Sequence, residues 1–535
     1  MLVDGEIWVG NNSDGAGAFL LPQMANRHGL IAGATGSGKT VTLKVLAESF
    51  SDLGVPVFMA DVKGDIAGMS QPGTDSADMQ SRVEKFSLNE YGFGFRSFPV
   101  TYWDIFGEKG IPLRTTISEM GPLLLSRILN LNELQSSLLT IAFKIADDND
   151  LLLVDTKDLK ALLTHVAEHN KEYGEEYGNI AKASINTILR AVVALELEGG
   201  ETFFGETALN ISDWFATENG KGVINILDSE SLINNGRLYS TFLLWLLSEL
   251  FENLPEVGDL DKPKMVFFFD EAHLLFHDAP KALMDKIEQV VKLIRSKGVG
   301  VYFCTQNPRD IPDGVLAQLG NKIEHALHAY TPAEQKAVRA AAMSFRENPA
   351  FDTYETIMGL GTGEAVVSFL NDDGTPGICE RIAVLPPQCR LGSVSDADRE
   401  RTIKSSLLYS KYSKAYDPDS AYEFLQRMGL QEEADRQAAA EEKAALKEAE
   451  KQAAAEERAA QKAAEKQARD AEREKQKTST AKKRAVKSVG STVAGTVGRE
   501  VGKSVGGKFG KFGKTLGGNV GASLGRGLLS TFFRV

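Results

Sequence analysis

Gly33-Ala34-Thr35-Gly36-Ser37-Gly38-Lys39-Thr40 is the stretch of this chain whose residue types and spacing speak most directly of chemistry. Glycines at its first and sixth positions let the backbone turn its N–H groups inward around phosphate. A helix starting at Lys39 would add the positive end of its dipole. The pattern predicts a phosphate loop for ATP, with Lys39 reaching the β- and γ-phosphates and Thr40 holding Mg²⁺.

Phosphoryl transfer also needs acids, a water-ordering group and a cation. Asp270-Glu271 closes the apolar run Met265-Val266-Phe267-Phe268-Phe269. A buried strand of that kind delivers its terminal carboxylates to the C-terminal edge of a parallel sheet, where ligands bind. Asp270 is the candidate Mg²⁺ ligand and Glu271 the candidate general base for water. The plainer reading is a helix N-terminal pair, since acids suit a first turn. Gln306 follows the run Gly300–Thr305, where a neutral amide can hydrogen-bond both γ-phosphate and water; it would equally be a polar exit from a strand. Asp61-Val62-Lys63-Gly64-Asp65 ends another strand and either positions loops near Mg²⁺ or is a turn built on Asp and Gly. Arg295 is the first candidate for a cation on the developing charge and Arg381 the second, and each would serve equally as a surface cation. The seven histidines show no ligand spacing, and His273 reads as a packing or relay residue.

These groups need a scaffold that brings strand ends together. A short strand at His28–Ala32 enters the glycine loop. Val41–Asp52 has helical apolar spacing, and Pro56–Ala60 is a second strand. Strand, loop, helix and strand in that order begin a parallel α/β sheet. Residues 5–21 read as a hairpin. From about 115 to 197 the pattern is helical throughout, an all-helical insertion. The sheet resumes at Gly222–Leu227, followed by a long apolar helix at Tyr239–Phe251, the Asp270 strand, a helix at Leu283–Ser296 and the Gln306 strand. A last strand pair is expected at Glu364–Leu370 and Ile378–Val384. The domain expectation is 1–110 for the hairpin and first half of the core, 111–215 for the insertion and 216–395 for the second half. A charged helical region at 396–480 and a basic tail at 481–535 complete it.

Composition sets the outer bounds. The 535 residues are 43% apolar and 25% charged, which excludes disorder throughout and a small disulfide scaffold. Three scattered cysteines, Cys304, Cys379 and Cys389, fit a reducing cytosol and give no zinc spacing. The acidic N-terminus has no signal-peptide character, and no apolar run is long enough for a transmembrane helix. Residues 431–477 are almost wholly Ala, Glu, Lys, Gln and Arg, with Leu446 the only large apolar residue, which predicts a solvated helix without a coiled-coil seam.

The tail differs in charge from everything before it. Residues 481–535 carry eleven Lys/Arg and one acid, Glu500, a net +10 that leaves −23 on residues 1–480. Small residues recur every fourth position from Gly490 to Gly510 and again from Gly513 to Gly525. Three readings fit: a segment without structure until bound, a basic helix induced by lipid or a partner, and a nucleic-acid tether.

The combined motifs resemble the HerA-like branch of the HerA–FtsK P-loop ATPases, specifically a bacterial HerA-like helicase C-terminal subfamily. The residues that carry the resemblance are the phosphate loop preceded by Asn26-Arg27-His28-Gly29-Leu30-Ile31, the Asp61–Asp65 cap, Asp270-Glu271-Ala272-His273 and Gln306-Asn307-Pro308. Trp103-Asp104-Ile105-Phe106-Gly107, Arg114-Thr115-Thr116 and Glu119-Met120-Gly121-Pro122 point to the subfamily. The resemblance covers about residues 5–390 and implies a RecA-like core, a homo-oligomer, commonly a hexameric ring, and ATP-driven movement of duplex DNA. It also implies Gln306 as sensor and an arginine finger, for which Arg295 is the candidate. Two alternatives remain: an assembly or secretion-type ATPase at a membrane surface through the tail, and a non-motor ATP switch that docks a protein partner. The expected location is cytoplasmic, with peripheral contact to the inner membrane under the first alternative.

Overall fold

The computed structural model describes residues 1–276, 281–327 and 329–479. The described residues divide into two units, Met1–Ala434 and a second that begins at Asp435. The tail at 481–535, with its glycine repeat, lies outside the described residues.

The first unit is an α/β fold built on a mostly parallel sheet. Its centre is a run of parallel strands: β1 (Gly29–Ala32), β2 (Val57–Asp61), β3 (Val100–Asp104), β4 (Ile224–Asp228), β5 (Met265–Phe269), β6 (Val299–Thr305) and β7 (Asn321–His325). They lie in the order β7-β1-β6-β5-β2-β4-β3. The Gln306 strand, β6, therefore separates the phosphate-loop strand from the Asp270 strand. Strands β1 to β6 are buried along their whole length. Burial on both faces is why most of them read as unbroken apolar runs.

Beyond β7 the sheet turns antiparallel through β8 (Glu364–Ser368) and β9 (Glu380–Val384). The N-terminal hairpin strand Glu6–Asn12 then pairs antiparallel with β9, which makes the hairpin an extension of the same sheet. On one face Leu43, Leu46, Ala47 and Phe50 of the helix Lys39–Asp52 pack against Ile31, Val57 and Met59. On the other face Phe58, Phe267 and Phe269 meet the helix Gly236–Asn253 and the insertion. The insertion is helical at Ile117–Ile128, Glu133–Asp148, Thr156–Glu168 and Lys182–Leu195. Three of these four helices begin in capping boxes, at Thr116, Asn132 and Asp155. The helix Ala421–Ser479 has 59 residues, and from 435 to 474 nearly all are exposed, as its charged, seamless sequence requires.

Two of these seven parallel strands escape the sequence reading. β3 is Val-Thr-Tyr-Trp-Asp and β7 is Asn-Lys-Ile-Glu-His, so neither is a plain apolar run. In β7 the polar residues are themselves in the interior: Asn321, Glu324 and His325 are buried.

His28 anchors the foot of β1. Its Nε2–H donates to the Val291 carbonyl at 2.8 Å, and its Nδ1 accepts the Val301 N–H at 3.0 Å, which fixes a neutral tautomer. Burial, reinforced by the charge of Arg295, pushes its pKa down to about 4 despite the Val291 carbonyl. An unfolded histidine titrates near 6.5, so the unfolded chain takes up the proton first. The contribution of neutral His28 is full above that value and is lost as pH falls toward the folded value. In urea denaturation, the stability gap between wild type and His28→Gln is expected to narrow by on the order of 2 kcal/mol as pH is lowered from about 7.5 to about 4.5.

Candidate nucleotide-binding site

The helix Lys39–Asp52 starts directly after the glycine loop, so its free N–H groups face the loop interior. Gly33, Gly36 and Gly38 have φ of 148°, 78° and 116°, conformations that side chains resist. The loop is also clamped from outside. The Ala34 N–H donates to the Ala326 carbonyl at 2.8 Å, and the Gly363 N–H donates to the Ser37 carbonyl at 2.9 Å. A Cβ on Gly33 would lie 2.5 Å from the Cβ of His325, and one on Gly38 would lie 3.2 Å from the Gly363 backbone. Lys39 is buried and its ammonium donates to the carbonyls of Gly33 (2.6 Å) and Ala34 (3.0 Å). It is thus folded across the loop where phosphate oxygens would compete for it.

Two strand ends and the loop after one of them face this loop from the same edge of the sheet. Asp61 ends β2 and accepts the N–H groups of Gly64, Ile66 and Ala67 at 2.8, 3.2 and 3.1 Å. Asp65, four residues on, accepts the Thr40 hydroxyl at 3.3 Å through Oδ2, while its buried Oδ1 has no hydrogen-bond partner. Asp270 follows β5 and is buried. Burial lifts the Asp61 carboxyl to about 7, with Asp65, Asp270 and Asp228 adding repulsion. Burial likewise lifts Asp270 to about 6, with Glu271 and Asp65 as like-charged neighbours.

This is the environment a divalent cation fits: a threonine hydroxyl, an unpartnered carboxylate oxygen and several acids repelling one another. Among the described residues no three His, Cys, Asp or Glu side chains converge as a complete metal cage. Mg²⁺ in such a place would draw on Thr40, a carboxylate, water and substrate phosphates.

Glu271 sits apart in conformation and in partners. Its φ is 46°, in the left-handed region where a non-glycine residue stores about 1–3 kcal/mol of strain. Oε1 is ion-paired with Lys63, and Oε2 accepts the Gln306 side-chain amide at 3.2 Å. His273 Nδ1 lies 3.2 Å from Oε2 without hydrogen-bond geometry. Burial raises the Glu271 carboxyl, but Lys63 and Gln306 outweigh it and hold the pKa below the ordinary value.

The structure therefore brings Gly33–Thr40, Asp270, Glu271 and Gln306 to one edge. It does not bring Arg295 there. Arg295 lies in the turn Ile294–Lys297 before β6, at the opposite end of that strand from Gln306, and pairs with Asp259 at 3.1 Å. Arg381 pairs with Glu364 at 2.7 Å, on the strand that follows the Gly363 turn. Two further groups escape the sequence reading. Glu324 is buried with Oε1 unpartnered, and burial lifts its carboxyl to about 8 against the pull of Lys39. His325 beneath Gly33 donates from Nδ1 to the Glu364 carbonyl and accepts the Thr42 hydroxyl at Nε2, both at 2.8 Å. Their only sequence signal is an ionisable pair inside a five-residue strand.

Comparison with known proteins identifies the family of the chain. Residues 6–514 match the family model described as helicase HerA-like C-terminal. A probable helicase of Methanocaldococcus jannaschii is 30% identical over 146 residues, 26% of each chain. The DNA double-strand break repair helicase HerA of Sulfolobus acidocaldarius is 21% identical over 353 residues, 64% of this chain and 62% of that protein. The DNA import protein CedB of the same species is 24% identical over 356 residues, 65% of this chain and 51% of that protein. The chain thus spans less than two thirds of the length of these relatives. Among solved structures, the bacterial conjugative coupling protein TrwB aligns with a TM-score of 0.48 at 15% identity, over 73% of this chain and 91% of that one. VirB4 of Thermoanaerobacter pseudethanolicus aligns with a TM-score of 0.45 at 15% identity, over 74% and 99%.

The loop's geometry predicts a graded response to added methyl groups. Gly38→Ala combines left-handed strain with the Gly363 contact, whereas a Cβ at Gly36 meets nothing within 4 Å. Gly38→Ala is expected to weaken binding of a fluorescent ATP analogue at least about tenfold, and Gly36→Ala by less, with unchanged far-UV circular dichroism in both.

Proposed function

The chain belongs to the HerA-like branch of the HerA–FtsK ATPases, and from that premise we propose that it is a Mg²⁺-dependent, ATP-hydrolysing motor that works as an oligomeric ring on duplex DNA. The observation that carries the hydrolytic part is the convergence of the buried Lys39, Asp270 and Glu271 with the exposed Gln306 at one edge of the sheet. The names of two relatives, a DNA repair helicase and a DNA import protein, support DNA as the polymer.

The residues divide the work as follows. The backbone N–H groups of Gly33–Thr40 cradle the phosphates, and Lys39 exchanges its two loop carbonyls for phosphate oxygens. Thr40 and Asp270 would hold Mg²⁺, which when bound screens the phosphate charge. Glu271 accepts the proton of the attacking water as its oxygen bonds to the γ-phosphorus and the bond to the β-phosphate oxygen breaks. Gln306 fixes the Glu271 carboxylate by its 3.2 Å hydrogen bond and presents an amide toward the reacting phosphate. Arg295, at the opposite end of β6 from Gln306 and 39% exposed, would serve a neighbouring subunit's site rather than its own.

Steady-state ATP hydrolysis at two salt concentrations, alone, with duplex DNA and with anionic vesicles, tests this reading. Duplex DNA is expected to raise kcat, with the stimulation falling steeply as salt rises. Glu271→Gln is expected to bind ATP and lose at least about 100-fold in kcat. Stimulation by vesicles instead of DNA, abolished by deleting residues 481–535, would replace the translocase reading with an assembly ATPase at a membrane surface.

A further inference from the structure

Glu271, the base of that reading, has both carboxylate oxygens engaged. Oε1 is taken by the Lys63 ammonium and Oε2 by the Gln306 amide. The two contacts differ in kind. A neutral amide orients a carboxylate and leaves it able to accept a proton. A directly paired ammonium occupies the lone pairs that a water proton would have to reach.

Lys63 is also the exposed partner. Its side chain is 46% exposed, whereas Glu271 is 3% exposed. It sits in a five-residue loop pinned at one end by Asp61, which accepts three backbone N–H groups. The following residue, Gly64, is left-handed with φ of 74°, and a Cβ there would meet nothing within 4 Å.

The other end of the loop touches the nucleotide machinery. Asp65 accepts the Thr40 hydroxyl through one oxygen, and its second oxygen is buried without a partner. One short loop therefore contacts the threonine of the phosphate loop and the glutamate across the cleft. A Thr40 hydroxyl drawn toward the phosphate end of a bound nucleotide leaves Asp65, and the loop loses that tether.

We propose that Lys63 is a positioning residue that restrains Glu271 in the resting site, and that nucleotide binding, sensed through the Thr40–Asp65 contact, releases it. The inference rests on Glu271 as the base. On this account the resting enzyme binds ATP with its base withheld, and the 61–65 loop reports phosphate-loop occupancy to the hydrolytic carboxylate.

The test uses the full chain as wild type, Lys63→Met, Lys63→Arg and Glu271→Gln. Lys63→Met keeps the aliphatic stem and removes the charge. Its basal kcat is expected to rise several-fold with KM for ATP within about twofold of wild type, and Lys63→Arg is expected to restore the low basal rate. A second readout is independent of turnover: acylation of the Lys63 amine, followed by peptide mass spectrometry, with and without a non-hydrolysable ATP analogue. The analogue is expected to speed labelling of Lys63 several-fold. A Lys63→Met kcat equal to or below wild type, or Lys63 labelling that is unchanged or slower with the analogue, overturns the proposal. If Glu271→Gln abolishes turnover while Lys63→Met fails to raise it, the base stands and only the restraint falls. If Glu271→Gln turns over like wild type, both fall.

Discussion

Four carboxylates, Asp61, Asp65, Asp270 and Glu271, crowd one end of a buried sheet, and their mutual repulsion is the constraint around which the neighbouring loops are built. Three of them are almost wholly buried: Asp61, Asp270 and Glu271. Removing ionised groups from water is costly unless each is neutralised or fully hydrogen-bonded. The chain meets that demand differently at each position. Asp61 takes three backbone N–H groups and has its pKa raised to about 7. Glu271 takes a lysine and an amide and stays ionised. Among the described residues Asp270 and the free oxygen of Asp65 have no such protein cation, and an exogenous one would stabilise them. The loop 61–65 follows from this: it supplies Lys63 to one acid and N–H groups to another.

The sequence made the ends of strands legible and the paths between them less so. Strand interiors buried on both faces can hold little but apolar residues, so polar residues at their C-terminal ends stand out, as at Asp61, Asp270 and Gln306. The same logic fails where burial is polar. The strand Asn321–His325 buries a glutamate and a histidine beside the phosphate loop, and composition gives no reason to place it inside. Lys44 and Glu48 mislead likewise. They are four apart in the helix after the phosphate loop, the spacing of a solvated pair. Instead Lys44 donates to the Arg390 carbonyl at 2.8 Å, and Glu48 accepts the Gln388 and Cys389 N–H groups at 2.9 and 2.7 Å. A segment 340 residues away covers that helix, and no local pattern encodes such a contact. The pairing of Lys63 with Glu271 is hidden for the same reason, although both residues lie in motifs that drew notice.

The phosphate loop is held from two directions, and this bears on how a motor would transmit its state. Ala34 hangs on Ala326, at the exit of β7, and Ser37 on Gly363, at the entry to β8. His325 ties the two strands again by donating to Glu364 and then reaches into the loop's own helix through Thr42. Glu364 in turn holds Arg381 on β9, the strand against which the N-terminal hairpin pairs. Hydrogen bonds thus run without a break from the loop to the antiparallel edge of the sheet. Close-packed interiors of this kind shift between discrete arrangements rather than deform smoothly. On the proposed mechanism a change in the loop backbone on nucleotide binding has two exits within the chain: through Thr40 and Asp65 toward Glu271, and through Ser37 and Gly363 to the antiparallel strands. The first exit governs chemistry inside one site. The second reaches Arg381, 47% exposed on β9, which lies between β8 and the N-terminal hairpin.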